Sequence, residues 1–187
     1  MIKTLLMSAA LLAPTSLAAK DWQSFCKEVP VWPKGSEVPP DAEYKDLATP
    51  VDGKFAKEKW DAMKKRKGSM NARGPDSWVI VDARSAKDRS VGKVPKSALI
   101  TADYNDASKN QFNDTFVTKK VNRLLKSKFP SVKDMKGVNF IVFCNGKKCH
   151  RSSFAACEMR RLGVQRDNLY IMTGGFPEWK DRGYPVR

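Results

Sequence analysis

The fold of this chain is decided by residues 139–163, NFIVFCNGKKCHRSSFAACEMRRLG. The part up to Phe143 is an uninterrupted apolar run of strand-forming residues, a pattern typical of strands covered on both faces. Glycine and lysine then indicate a loop, and Ser152 to Gly163 has the pattern of a helix that ends in a glycine cap. This order of strand, loop and helix predicts a crossover unit of a parallel sheet, with Cys144 at the carboxyl end of its strand.

The flanking segments continue the alternation of strands and helices. We predict strands at 78–83, within 93–103 and at 169–172, and helices at 54–66, within 112–130 and at 178–183. Such alternation is typical of an α/β domain with a mostly parallel sheet. Ligands of these sheets bind beyond the carboxyl ends of the strands. The residues that follow Cys144 are therefore the first candidates for a binding site.

The first 19 residues have the pattern of a cleaved export signal. A lysine precedes the apolar stretch from Leu5 to Ala13, and small residues follow at Ser16 and Ala18. A membrane anchor is the alternative, but the stretch is short for a span and Pro14 interrupts it. We therefore expect residues 1–19 to be removed and the mature protein to be exported, most simply to a bacterial periplasm, with no membrane attachment.

Residues 20–50 read as a proline-rich N-terminal arm. Prolines at positions 30, 33, 39, 40 and 50 exclude a regular helix or a central strand there. Apolar side chains such as Trp22 and Trp32 are too frequent for a loose linker. We predict an extended arm that packs against a domain formed by residues 51–187.

The chain is strongly basic, with 35 lysines and arginines against 20 aspartates and glutamates and a net charge of +15. Such a balance can indicate nucleic-acid binding. Export argues against that function, and the basic residues are scattered apart from the run at 64–67. A solvated basic face and an anionic substrate or acidic partner remain as interpretations, and we expect no nucleic-acid partner.

The loop CNGKKCHRS, residues 144–152, has the composition of an anion-binding site. Backbone amides and the amino end of the following helix attract negative charge, and Lys147, Lys148 and Arg151 add to the positive potential. In such surroundings a thiolate at Cys144 would be available near neutral pH, which makes this residue a candidate nucleophile. A buried inert cysteine and a Cys144–Cys149 disulfide are the two alternatives.

Three motifs in this chain resemble those of the rhodanese family. They are VIVDARSAKDRSVGKVPKSALI at 79–100, the loop and helix at 144–164, and LYIMTGGFPEWKDRGYPV at 169–186. They occur in the order and spacing of the family, and the resemblance covers about residues 51 to 187. It implies a rhodanese-like three-layer α/β fold, in which a central, mostly parallel five-stranded sheet is flanked by helices.

The resemblance also implies a sulfurtransferase. Cys144 would take sulfane sulfur from a small anionic donor such as thiosulfate, carry it as a persulfide and pass it to a thiol or cyanide. A protein thiol is a further candidate partner. The implied substrate and anion-binding loop consists of Asn145, Gly146, Lys147, Lys148, Cys149, His150, Arg151 and Ser152.

The loop departs from the family pattern. Arg151 stands seven residues after Cys144, two more than in the common rhodanese loop and one more than in the phosphatase relatives. Lys93 stands where the family usually has a histidine. Two alternatives therefore stay open: a non-catalytic rhodanese-fold binding or redox module with a Cys144–Cys149 disulfide, and, less favoured, a phosphatase or arsenate reductase.

Three further residues have two interpretations each. Asp82 could act as a catalytic acid, but we favour structural support in which it pairs with Arg84. His150 could act as a base or be an exposed loop residue without a role. Because it is the only histidine and the cysteine spacing is not a zinc pattern, we expect no metal site and no cofactor.

Disulfides are the default for cysteines of an exported protein. The four cysteines allow three complete pairings. We predict a bond between Cys26 of the arm and Cys157, because Cys157 is expected to face away from the core stripe of its helix. That stripe consists of Ala155, Ala156 and Met159.

Overall fold

The structure, a computed structural model, describes residues 46–65 and 77–187 together with Gln23, Cys26 and Lys27. The predicted export signal at 1–19 and most of the arm at 20–50 lie outside the described residues. The strands are β1 (Thr49–Val51), β2 (Ser77–Asp82), β3 (Ala98–Leu99), β4 (Val138–Phe143) and β5 (Leu169–Met172). The helices are α1 (Gly53–Lys65), α2 (Ala86–Ser90), α3 (Asp114–Leu125), α4 (Arg151–Arg161) and α5 (Gly175–Asp181).

The five strands form one parallel sheet in the order β1-β5-β4-β2-β3. Strand β4 is central, and every one of its six residues is buried. It pairs along its whole length with β2, from Ser77 opposite Val138 to Asp82 opposite Phe143. The predicted α/β class and the five-stranded parallel sheet flanked by helices are confirmed.

The core is divided between the two faces of the sheet. Successive strand residues point to opposite faces, so Val79 and Val81 join one cluster while Ile80 joins the other. The first cluster packs under α3 and α4, and the second packs under α1 and α5 around Trp60 and Trp179. This three-layer arrangement explains why β2 and β4 are continuous apolar runs rather than alternating ones.

Two elements were not predicted from the sequence. Strand β1 begins at Thr49, two residues before the predicted domain boundary, and it contains Pro50. A proline is tolerated there because β1 lies at the edge of the sheet. Helix α2 has only five residues, too few for a hydrophobic period, but Ser85 and Asp88 form a capping box at its start.

The boundaries of the other elements differ little from the predictions. Helix α5 begins at Gly175, three residues earlier than expected. Among the described residues, no helix is both long enough and apolar enough to cross a membrane.

Cys26 and Cys157 form a disulfide, which is the predicted pairing, with Cα atoms 5.6 Å apart. The reason given for it was wrong, because Cys157 does not face away from the core stripe. It is fully buried in the same cluster as Ala155, Ala156 and Met159. Residues 152–157 of α4 are all buried, so this part of the helix has no solvent-exposed face toward which Cys157 could point. The bond fixes Cys26 of the arm to α4, the helix that begins in the candidate loop (residues 144–152).

Candidate functional site

The candidate loop starts where the central strand ends. Cys144 follows the last residue of β4 and is 1% exposed. Gly146 adopts a φ of +102°, a conformation that favours glycine. The amide of Cys149 donates to the carbonyl oxygen of Gly146 at 3.0 Å. The chain therefore turns back on itself and brings Cys149 over Cys144 before α4 begins at Arg151.

Cys144 and Cys149 form a disulfide, with Cα atoms 6.2 Å apart. This pairing is one of the alternatives that the sequence leaves open, and in this state the predicted Cys144 thiolate does not exist. The Cys144 Sγ lies 2.8 Å from the carbonyl oxygen of Cys149, to which a reduced thiol can donate. It also lies 3.5 Å from the hydroxyl of Ser152. The site thus holds two cysteines whose sulfurs are in reach of each other.

The start of α5, at Gly175 and Phe176, packs against the loop. The amide of Phe176 donates to the Cys144 carbonyl oxygen at 2.8 Å. Gly175 has a φ of +61°, and a Cβ there would lie 2.4 Å from both the Cys144 oxygen and the Gly146 nitrogen. Only a glycine therefore allows this approach. Gly175 belongs to the quoted C-terminal motif, but the motif by itself does not indicate a position in the site.

Arg151, a member of the implied anion-binding loop, binds Asp88 of α2. Its Nη1 lies 3.1 Å from the Asp88 carboxylate. Burial opposes the ionisation of Asp88, but hydrogen bonds from Ser85 and Asn145 and the charge of Arg151 outweigh it. The pKa of Asp88 therefore lies below its ordinary value. Sequence reasoning missed Asp88, although the spacing of Ser85 and Asp88 was a readable capping signal.

Asp82 and Arg84 form a buried, two-pronged ion pair at the end of β2. Arg84 Nε and Nη2 donate to the two carboxylate oxygens of Asp82 at 2.9 and 2.7 Å. Arg84 Nη2 also donates to the carbonyl of Gly92 at 2.8 Å, and the guanidinium lies 3.9 Å from the ring centre of Phe176. The pair thus connects three parts of the domain: the end of β2, Gly92 just after α2, and Phe176 of α5. This is a structural role that supports the loop. Breaking such a pair on one side costs about 3–5 kcal/mol.

His150 is 2% exposed, so the interpretation of an exposed loop histidine was wrong. Its ring stacks on Tyr104 with ring centres 6.5 Å apart. Tyr104 in turn contacts Phe154 of α4 edge to face. The histidine therefore packs the loop against the segment that follows β3.

Positive charge is concentrated around the loop. Lys147 and Lys148 are exposed at its tip. Arg89 donates to the carbonyl of Arg84 and, at 3.0 Å, to the hydroxyl of Thr101. Burial lowers the pKa of Arg89, and the positive charges of Arg84 and Arg151 lower it further. Asp82 and Asp88 raise this pKa, but they do not cancel the decrease. Several cations thus share the edge of the sheet at which Cys144 lies.

Comparison with known proteins identifies a family for this chain. The family model of the rhodanese-like domain matches residues 62–182. Comparison with curated proteins gave no match.

Three solved structures are similar to this chain. The BH2092 protein of Bacillus halodurans is 20% identical with a TM-score of 0.47, and the match covers 76% of this chain and 79% of that one. A rhodanese-related protein of Thermoplasma volcanium is 16% identical with a TM-score of 0.40, over 73% and 95% of the two chains. A Rhodopseudomonas palustris protein of unknown function, described as a possible tyrosine phosphatase, is 18% identical with a TM-score of 0.42, over 94% and 99%.

Because the family model covers more than half of the sequence, this protein belongs to the rhodanese-like domain family.

Proposed function

We propose that this protein is an exported sulfurtransferase that carries sulfane sulfur as a persulfide on Cys144. The observation that supports the proposal most is the position of Cys144, at the carboxyl end of the central strand of a rhodanese-like domain and just before α4. Ligands of parallel sheets bind at this edge. A helix amino terminus favours negative charge on the thiolate, the persulfide and the donor.

The proposed reaction has two steps. The Cys144 thiolate attacks the sulfane sulfur of thiosulfate, a sulfur–sulfur bond forms to Cys144, and the bond within thiosulfate breaks to release sulfite with its electron pair. A thiol or cyanide then attacks the outer sulfur of the persulfide, and the Cys144 thiolate leaves. The hydroxyl of Ser152, 3.5 Å from Sγ, is placed to donate to the sulfur in each charged state.

An anionic donor fits the surroundings of the site. Lys147 and Lys148 are exposed beside Cys149, and Arg89 lies at the same edge of the sheet. Charges of one sign around a cleft raise the local concentration of the oppositely charged substrate. We therefore propose thiosulfate-like donors in preference to neutral ones.

The nucleophile must be reduced before it can act. Since Cys144 is bonded to Cys149, activation requires a dithiol reductant that donates two electrons, is itself oxidised to a disulfide, and returns both cysteines to thiols. Such a dithiol protein in the export compartment, reached through the signal at residues 1–19, is part of the proposal.

The test is intact-mass spectrometry of the reduced protein after exposure to thiosulfate. The proposal expects a gain of one sulfur atom on Cys144, or release of that sulfur to an acceptor or as hydrosulfide, and each of these must disappear in Cys144→Ser. If reduced, correctly folded protein takes up and transfers no sulfur from thiosulfate, a thiosulfonate or a polysulfide, the proposal is wrong.

A second candidate function is thiol–disulfide exchange without sulfur transfer. The Cys144–Cys149 bond favours it directly, and a fold does not guarantee the activity of its family. Thiol titration of native protein with and without a dithiol reductant measures the exchange. Reversible exchange combined with no sulfur uptake would favour this second function.

The phosphatase alternative has less support. A phosphatase needs the loop arginine to bind the substrate phosphate above the cysteine, whereas Arg151 is held by Asp88 at 3.1 Å. Turnover of p-nitrophenyl phosphate by reduced protein, lost in Cys144→Ser, would be needed to revive it.

A further inference from the structure

The second cysteine of the loop has no role in the two-step transfer described above. A persulfide carrier needs one nucleophilic sulfur, yet Cys149 is bonded to that sulfur in the structure. The Cα separation of 6.2 Å falls within the range seen between disulfide-bonded cysteines.

We propose that Cys149 is the resolving thiol of this site. It attacks the Sγ of the Cys144 persulfide, closes the Cys144–Cys149 disulfide and expels the outer sulfur as hydrosulfide. The inference rests on the proposed persulfide at Cys144 and adds a catalytic residue and a product to it.

The geometry selects the inner sulfur of the persulfide as the point of attack. Cys149 is bonded to the Sγ of Cys144 itself, whereas transfer of the outer sulfur to Cys149 would require its sulfur one bond length farther away. The two ends of the loop hold this arrangement. The Cys144 carbonyl is fixed by the amide of Phe176, and the Cys149 amide by the carbonyl of Gly146.

The step balances in atoms and electrons. The persulfide is an anion and Cys149 is a thiol. As the new sulfur–sulfur bond forms, the bond between Sγ and the outer sulfur breaks, and its electron pair and the Cys149 proton leave as hydrosulfide. Two protein thiols are oxidised to a disulfide, and one sulfane sulfur is reduced to sulfide. Together with the first step, thiosulfate is converted to sulfite and hydrosulfide.

The next turnover needs a dithiol reductant, and the exposure of the two sulfurs determines where it attacks. Cys144 is 1% exposed, while Cys149 is only partly buried. The reductant's thiolate therefore attacks Cys149, a mixed disulfide forms there, and Cys144 leaves as the thiolate that the first step uses. The reductant's second thiol then releases Cys149 and completes its own disulfide.

A single-turnover experiment on the full chain tests the role of Cys149. Folded protein is treated with limited dithiothreitol, desalted without oxygen and mixed with thiosulfate. We expect the wild-type protein to lose two hydrogen atoms as the disulfide closes, and to release one equivalent each of sulfite and hydrosulfide. Cys149→Ser should release sulfite but no hydrosulfide, and should retain one extra sulfur atom on Cys144.

Two further measurements distinguish the outcomes. Cyanide added after thiosulfate should yield thiocyanate from Cys149→Ser and little from wild type, because the wild-type persulfide has already been resolved. Cys149→Ala should behave like Cys149→Ser, and the near-ultraviolet spectrum shows that both variants are folded.

A stable persulfide on the wild-type protein, without hydrosulfide or a new disulfide, would overturn the role of Cys149 and leave the sulfurtransferase proposal standing. No sulfur on Cys144 in wild type or in either variant would overturn both proposals.

Discussion

The guanidinium of Arg151 lies 3.1 Å from the carboxylate of Asp88, and this contact ties the end of the candidate loop to helix α2. Asp88 also accepts the hydroxyl of Ser85 at 2.6 Å and interacts with Asn145. One carboxylate thus holds both ends of the loop against a helix that begins just after β2. The position of the loop over Cys144 depends on this side chain as well as on its own sequence.

Asp88→Asn should therefore lower stability near neutral pH and remove part of its acid dependence. Because the folded-state pKa of Asp88 is depressed below 3.8, its stabilisation is present above the unfolded-state pKa. That stabilisation is lost as the pH falls from there through the folded-state pKa. The partly exposed ion pair with Arg151 contributes up to about 1 kcal/mol. We expect the urea midpoints of variant and wild type to differ at pH 7, to approach each other as the pH falls below 3.8, and to converge once it is below the folded-state pKa.

The control for this change is Asp181→Asn at the exposed end of α5. It should shift the midpoint little at either pH. A difference between Asp88→Asn and wild type that stays constant from pH 7 to strongly acidic conditions would contradict the assignment.

Gly175→Ala should disrupt the loop more than the backbone strain of alanine at a positive φ would do by itself. Gly175 and Gly183 have φ angles of +61° and +68°, so alanine is strained to a similar degree, by about 1–2 kcal/mol, at both positions. A Cβ at Gly183 meets nothing within 4 Å, whereas at Gly175 it lies 2.4 Å from the Cys144 oxygen and the Gly146 nitrogen. Thermal unfolding and the rate of closure of the Cys144–Cys149 disulfide measure the difference.

Comparison of Gly175→Ala with Gly183→Ala separates the contact with the loop from backbone strain. We expect Gly183→Ala to close the disulfide at the wild-type rate and Gly175→Ala to close it more slowly or incompletely. Equal rates in the two variants would mean that the contact with the Cys144 carbonyl does not position the loop.

Removal of the Cys26–Cys157 disulfide should destabilise the domain more than removal of the Cys144–Cys149 disulfide. The two bonds span 131 and 5 residues of sequence. The loss of chain entropy on closing such loops predicts on the order of 5 kcal/mol for the long loop and about 2 kcal/mol for the short one. Denaturant unfolding of Cys26→Ala and Cys149→Ala, each against wild type, measures the two effects.

The two variants serve as controls for each other. A loss from Cys149→Ala that equals or exceeds the loss from Cys26→Ala would show that the loop disulfide supports the fold. It would then speak against an easily reduced bond at the site.

Replacing Lys147 and Lys148 together by glutamine should slow sulfur uptake from thiosulfate a few-fold at low salt, because steering of anions depends on local positive charge. The difference should shrink as salt approaches 1 M, where the Debye length falls to about 3 Å. Stopped-flow measurement of sulfite release from reduced protein gives the rate.

Lys136→Gln is the charge control, since Lys136 is exposed and precedes β4 at the other end of the strand. It should leave the rate unchanged. A neutral organic polysulfide should react equally fast with all three proteins, and a slower reaction of the double variant with that donor would indicate a structural defect instead of lost steering.

The arrangement of the layers could be predicted from the sequence because it depends on local periodicity and burial. The apolar runs at 78–83 and 138–144 indicated strands covered on both faces, and β2 and β4 are such strands. The position of Cys144 at a strand end followed from the same pattern. The partnership of Asp82 with Arg84 was favoured because buried carboxylates need a close cation, and Arg84 follows Asp82 by two residues at the end of the strand.

The state of the candidate site depends on contacts between residues that are far apart in the chain. Asp88 reaches Arg151, Tyr104 covers His150, and Gly175 contacts Gly146. No local pattern predicts such contacts, because the parallel sheet brings the ends of different strands to one edge.

The pairing of Cys144 with Cys149 has the same origin. From the residues alone, a reactive thiolate, an inert buried cysteine and a disulfide all remained open. The sequence thus determined which sulfur lies at the strand end, because hydrophobic periodicity is a local property. The folded loop, held by Gly146, Phe176 and Asp88, determined that a second sulfur lies against it.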